Sequence, residues 1–235
     1  MQLLFKKLTP ERRLRWSVFA LLALTSTISV AILVYRNTMS SSHEYLFLVL
    51  NLNLAWIPFI MATLVYSARH LPKTPRFVVT ICCGGLWLLF MPNAAYLLTD
   101  FQHLARNNDA PLWYDIIMLL WFAWAGLLLG IFSLYYMQEL VARSLGKLTG
   151  WLFTLGIIFL NSYGVYLGRF MRWNSWDLIR RPEKIISDIL NNFSYPENYQ
   201  TILLYTGLYG LLFLAVYVTF FLFGQLVNAH RQGTG

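Results

Sequence analysis

The run IIMLLWFAWAGLLLGIFSLYYMQ, residues 116–138, decides the fold: 23 consecutive residues contain no Asp, Glu, Lys, Arg or His. At 1.5 Å per residue such a run crosses the roughly 30 Å hydrocarbon core of a bilayer, which takes about 20 apolar residues. Five further stretches share the property: 16–35, 46–66, 77–98, 149–168 and 201–223. In hydrocarbon every backbone N–H and C=O has to be paired within the spanning structure. Runs of this length are therefore helices, because a barrel would show alternating segments of about ten residues. The composition agrees. Of 235 residues, 58% are hydrophobic and 12% charged, against roughly 25% charged in a soluble domain. That is too little charge to cover a water-facing surface, so soluble enzyme folds and disordered chains are both excluded. The expectation is all-α: residues 1–235 as a single transmembrane domain, a bundle of six transmembrane helices.

The first run follows Lys6, Lys7, Arg12, Arg13 and Arg15, as a signal peptide would, but it is too long for an h-region and reads as an anchor. Thr9 before Pro10 is an N-cap followed by a proline, so that helix starts ahead of the bilayer. Lys and Arg set the orientation. With the N-terminus inside, segments 1–15, 67–76, 139–148 and 224–235 hold eleven of them, and 36–45, 99–115 and 169–200 hold seven. The positive-inside rule then puts both termini in the cytoplasm. The net charge of +8 is accounted for as a topology signal, with no separate basic domain for nucleic acid.

The loop 169–200 departs from this pattern. Arg169, Arg172, Arg180, Arg181 and Lys184 lie on the outer side; either they pair with acids, or they bind an anion, or the orientation is reversed. Within the loop, Ile185, Ile186, Ile189, Leu190 and Phe193 recur at helical spacing opposite Glu183, Lys184, Ser187, Asp188, Asn191 and Asn192. The spacing predicts a short amphipathic helix from Pro182 on the outer surface. Trp173, Trp176, Tyr195 and Tyr199 flank it as an aromatic belt would.

Polar residues inside apolar runs are costly, so their positions carry information. Asn51, Asn53, Asn93 and Asn161 all fall in the outer half of their spans, which suits a wet vestibule and interhelical hydrogen bonding equally well. Pro58 and Pro92 free the carbonyls of Leu54 and Leu88. Beside them stand Asp100 and His103, spaced i, i+3, with Asp109 and Asp115 following, and the opposing loop offers Arg169, Arg172, Trp173, Asn174, Trp176 and Asp177. Asp100, His103 and Asp177 are the candidate acids, bases or metal ligands, although two ligands make no metal motif and ion pairing accounts for them as well. Arg169 and Arg172 can fork onto a phosphate, with Trp173 packing against a lipid or sugar. A short echo between Tyr96–Phe101 and Tyr166–Phe170, at the ends of two outward-running helices, sets Asp100 against Arg169. Gly126–Gly130 and Gly164–Gly168 are GxxxG stripes for close packing within the bundle. Cys82 and Cys83 are adjacent and read as small apolar packing residues. The four histidines (His43, His70, His103, His230) lie outside the runs, which sets aside a haem or quinone site.

PNAAYLLTDFQHL, residues 92–104, and YLGRFMRWNSWD, residues 166–177, resemble the two signature stretches of domain of unknown function family 1361. Trp113-Tyr114-Asp115 and the span through Gly126 and Gly130 fit the same family, and the resemblance covers roughly residues 45 to 225. It implies a bacterial multi-pass membrane protein and brings no catalytic residue or cofactor with it.

The leading expectation is a bacterial plasma-membrane protein that binds, and processes or moves, an anionic lipid-linked substrate at the outer leaflet. Arg169 and Arg172 would hold its phosphate, with Asn51, Asn53, Asn93, Asn161, Trp173 and Asn174 lining the pocket. The expected partner is thus a membrane lipid with a phosphate-bearing headgroup; nothing indicates a homo-oligomer, nucleic acid or cofactor. A non-enzymatic assembly or scaffold subunit, whose outer charges simply pair, is the alternative, and a small permease or channel the third. Against a carrier stands the lack of charge within the runs.

Overall fold

The structure is a computed structural model, and it describes residues 9–39, 44–104, 110–194 and 196–233. His43, Asp109, Tyr195 and the side chains of Asn192 and Phe193 lie outside the described residues. Among those described there are eight α-helices and no strand. They are α1 (Pro10–Met39), α2 (Phe47–Ala68), α3 (Lys73–Tyr96), α4 (Leu112–Leu145), α5 (Lys147–Phe170), α6 (Asp177–Arg180), α7 (Pro182–Ser194) and α8 (Pro196–Gly233). Short 3₁₀ turns, Glu44–Leu46 and Leu97–His103, precede α2 and follow α3. Among the described residues six helical segments are long and apolar enough to cross a membrane, and each contains one of the six charge-free runs.

Each boundary has a local cause. The Thr9 hydroxyl accepts the Arg12 N–H at 3.4 Å, and Pro10 opens α1, where a missing N–H costs nothing. Pro72 and Pro111 precede α3 and α4, and Pro182 and Pro196 begin α7 and α8. Gly146, at φ +95°, alone joins α4 to α5. It donates its N–H to Ala142 O at 3.0 Å in a conformation that any side chain would strain.

α4 is the hub, with 67% of its apolar window buried against 17–39% for the other five. Helices α1, α2, α3 and α5 pack against it, and α8 reaches it through Phe213, against Gly130, and through the Tyr217–Gln138 hydrogen bond. Both GxxxG stripes turn inward. A Cβ at Gly126 would stand 2.5 Å from Ala94 O, and one at Gly164 2.5 Å from Pro92 Cγ, so α3 is the close neighbour of each. Cys82 and Cys83 are free, the former exposed on α3.

The helices extend past the charge-free runs, and the added turns carry charge. Arg36 and Asp115, read as loop residues, sit in the last turn of α1 and the first of α4. Their side chains are 0% and 2% exposed. Arg36 Nε and Nη2 donate to the two Asp115 carboxylate oxygens at 2.6 and 3.1 Å, and its guanidinium lies 4.5 Å from the Tyr45 ring centre. Tyr114 adds a bond from its hydroxyl to Ile32 O, 2.8 Å.

Candidate functional site

At the end of the bundle where α3 and α5 terminate, a cavity of ≈ 520 Å³ opens between α2, α3, α5 and α7. One end is polar and the rest apolar. Leu50, Leu54, Leu88, Leu89 and Leu160 form the walls, and Asn51, Asn93, Asp100, His103 and Arg169 the polar end. Leu50, Leu88 and Leu160 are 54, 40 and 48% exposed, so the cavity opens sideways onto the apolar flank of the bundle. The two carbonyls freed by proline, those of Leu54 and Leu88, belong to lining residues.

Arg169 organises the polar end. It occupies the last turn of α5 with its side chain 10% exposed. Its Nη2 donates to Thr99 O and, at 3.2 Å, to Asp100 Oδ1. Nη1 donates to the Tyr96 hydroxyl at 3.3 Å and lies 3.4 Å from His103 Nε2. The guanidinium carbon is 5.0 Å from the Tyr96 ring centre. Nε is buried and has no hydrogen-bond partner among the described residues. Asp100, fully buried, takes its second bond from Asn51 Nδ2 at 3.2 Å. The 3₁₀ turn Leu97–His103 explains why Asp100 and His103 face the same guanidinium, because residues three apart eclipse in a 3₁₀ helix. A cation already fills the space between them, which argues against a metal there. Among the described residues no three of His, Cys, Asp and Glu converge.

The loop beyond α5 forms the roof. Arg172 adopts a left-handed backbone, φ 58°, unusual for a residue with a Cβ. The Trp173 N–H returns to Leu167 O at 3.2 Å. The Trp173 indole N–H donates to Asp188 Oδ2 at 3.1 Å, tying α7 across the opening, and Lys184 Nζ is 6.0 Å from the same ring centre. On α7, Ile185 is buried and Ile189 lines the cavity, while Ile186 and Leu190 face outward. The amphipathic helix thus exists and serves as a cover. Asn93 Nδ2 donates to Ser175 Oγ at 2.7 Å, fastening α3 to the roof. Asp177 accepts the Asn174 N–H at 2.9 Å and its side-chain amide at 3.2 Å. The backbone bond, above all, holds the Asp177 carboxyl below the usual carboxylate range.

The expected residues divide accordingly. Asp100, His103, Arg169, Trp173, Asn174, Asn93 and Asn51 come together around the cavity, as does Trp176, and the Asp100–Arg169 contact expected from the two helix ends is present. Trp173 and Trp176 are half-buried roof residues. Arg172 is exposed and does not line the cavity, since the left-handed step places it outside. Asn53 is exposed on α2, two residues and therefore over half a turn from Asn51. Asn161 is 3% exposed but is not a lining residue, and Asp177 is used in the loop turn. Tyr96, Thr99 and Ser175 were missed as partners. Tyr96 and Thr99 stood inside the first signature stretch and Ser175 inside the second.

No curated protein and no solved structure matches this chain. The family model described as "Protein of unknown function (DUF1361)" matches residues 50–223 of the 235, from α2 into the last third of α8 and across every residue of the cavity's polar end, and the chain belongs to that family.

Proposed function

We propose that this protein lies in a bacterial plasma membrane with both termini cytoplasmic and binds the phosphate-bearing headgroup of an anionic lipid-linked substrate in the outer leaflet. The buried cation Arg169, lining the polar end of an otherwise apolar, side-opening cavity, carries this reading. A guanidinium has five N–H donors and one carboxylate cannot occupy them all. A phosphate sits against the Arg169 guanidinium at the polar end, and an acyl or prenyl chain lies along Leu54, Leu88 and Leu160. The volume is within the range of about 300–1,000 Å³ common for small-molecule sites. Lys184, beside Trp173, supplies a second cation at the rim. In this reading Asp100, Asn51 and His103 position Arg169, and binding is the step the geometry supports; chemistry on the substrate is not part of it.

The Arg36–Asp115 pair is what a purely structural charge looks like: it joins α1 to α4 and lines no part of the cavity. Arg169 shares one carboxylate with Asn51 and borders open space, which favours ligand binding over the scaffold reading. Native mass spectrometry with lipidomics on the purified protein tests this. A phosphate-bearing lipid should co-purify, and Arg169→Lys, which keeps the charge and loses the fork, should lower its occupancy about tenfold, equivalent to about 1.4 kcal/mol, with little change in melting temperature. Undiminished lipid on Arg169→Lys, or a bound lipid without phosphate, refutes the assignment.

A further inference from the structure

A second recess, ≈ 880 Å³, opens at the opposite end of the bundle, between the start of α1 and the end of α2. Its rim holds Arg12, Arg15, Arg69 and His70 with one carboxylate, Glu11. Its walls include Trp16, Phe19, Ile60 and Leu64, which are 54, 42, 43 and 46% exposed and belong to helices long and apolar enough to cross a membrane. The two openings use different faces of α2. Leu50 and Leu54 line the first and Ile60, Thr63 and Ser67 the second, about a third of a turn round at 3.6 residues per turn.

Aromatic rings, as well as acids, hold the guanidinium groups in place. Arg69 lies 3.8 Å from the Tyr66 ring centre, and Arg15 lies 5.2 Å from the same centre and 5.7 Å from that of Tyr136. Arg15 Nη2 donates to the Ser67 hydroxyl at 2.8 Å. Arg69 donates to Tyr66 O at 3.1 Å and to Glu11 at 2.5 Å. Two cations around one ring stand within about a Debye length, ~10 Å at 0.1 M salt. Glu11 compensates one of them, so the rim keeps a net positive charge with Arg12 added. From Ala68 back to Phe59 the α2 wall is about 14 Å long, close to half of a ~30 Å hydrocarbon core and hence to the depth of one leaflet.

We propose that this recess binds one anionic phospholipid from the leaflet at the N-terminal end of the bundle, its phosphate against Arg12 and Arg15 and an acyl chain along Phe19, Ile60 and Leu64. Charged rim and exposed apolar wall are continuous, which suits a headgroup with its chain attached better than a free anion. The arginine stems lie along the wall while their heads reach the interface.

The test is photocrosslinking of the purified full-length protein in phosphatidylcholine bilayers containing phosphatidylglycerol with a diazirine in one acyl chain, adducts being mapped by peptide mass spectrometry. Adducts are expected within residues 9–19 and 59–70, about fivefold more than from the same probe with a phosphatidylcholine head. Arg15→Gln should lower the yield about fivefold. Arg12→Gln, at an exposed position, should do the same without touching the aromatic contacts. Leu64→Trp fills the recess without altering charge and should also lower it. Equal yields from the two headgroups, or unchanged yields in Arg12→Gln and Leu64→Trp, overturn the proposal. Loss of the adducts to excess inorganic phosphate at matched ionic strength overturns it too, because the rim then takes a free anion.

Discussion

Asp115→Asn should be the most damaging single change of charge in this protein. The carboxylate is 2% exposed, grips a fully buried Arg36 through bonds of 2.6 and 3.1 Å, and ties α1 to α4 across 79 residues of sequence. An amide of the same shape keeps the packing and removes the negative charge, leaving a cation in a dry interface. Breaking one side of a buried pair costs about 3–5 kcal/mol. At roughly 2–4 °C per kcal/mol for a chain of this size, the melting temperature should fall by about 6–20 °C. Tryptophan fluorescence during thermal unfolding in detergent reads this directly. The double variant Arg36→Met with Asp115→Leu removes both charges and should recover most of the loss, since apolar replacement of a buried pair is often neutral or better. A fall of less than about 2 °C in Asp115→Asn, or a double variant no better than Asp115→Leu alone, would refute the claim that pairing of these two charges holds α1 in place.

Gly164→Ala places a methyl group 2.5 Å from Pro92 Cγ and should cost about 1–3 kcal/mol through overpacking, with weaker retention of the phosphate-bearing lipid; an unchanged melting curve contradicts this. For topology, Ser194→Cys should react from outside with an impermeant thiol reagent and Thr9→Cys should not, both after replacement of Cys82 and Cys83 by Ala; the opposite pattern reverses the proposed orientation.

The spans were legible because charge is excluded from hydrocarbon, and α3 and α5 ending on one side made the Asp100–Arg169 meeting legible as well. The Arg36–Asp115 pair was hidden by the same criterion. A span delimited by its first charged residue assigns every buried charge near a helix end to a loop, and no local signal links two residues so far apart in the chain. The asparagines show a different loss. Depth can be read by counting along a helix, but facing depends on which neighbours the helix finds, so Asn51 enters the cavity while Asn53 and Asn161 do not. Arg172 failed for a third reason. A non-glycine left-handed residue at the end of α5 has no sequence signature, and it separates two arginines that α-helical continuation would have kept nearly on one face.

The small residues of α5 explain why the site lies where it does. A Cβ at Gly164 would meet Pro92 Cγ at 2.5 Å, and one at Gly168 would meet the Tyr96 ring at 3.1 Å. Two missing side chains therefore let α3 approach over a full turn of α5. The residue after Gly168 is Arg169, which that approach brings against Tyr96, the last residue of α3, and against Thr99 and Asp100 in the 3₁₀ turn that follows. Ordinary van der Waals contact at Gly164 needs about 3.4 Å or more, so an alanine there asks the helices to separate by nearly 1 Å. The Arg169–Asp100 bond, already 3.2 Å long, would then exceed hydrogen-bonding distance. Pro92 contributes from the other side, since its missing N–H releases the Leu88 carbonyl into the apolar wall. The glycine stripe, the proline and the buried arginine thus form one device: close packing of α3 on α5 sets the guanidinium, and the guanidinium makes the polar end of the cavity.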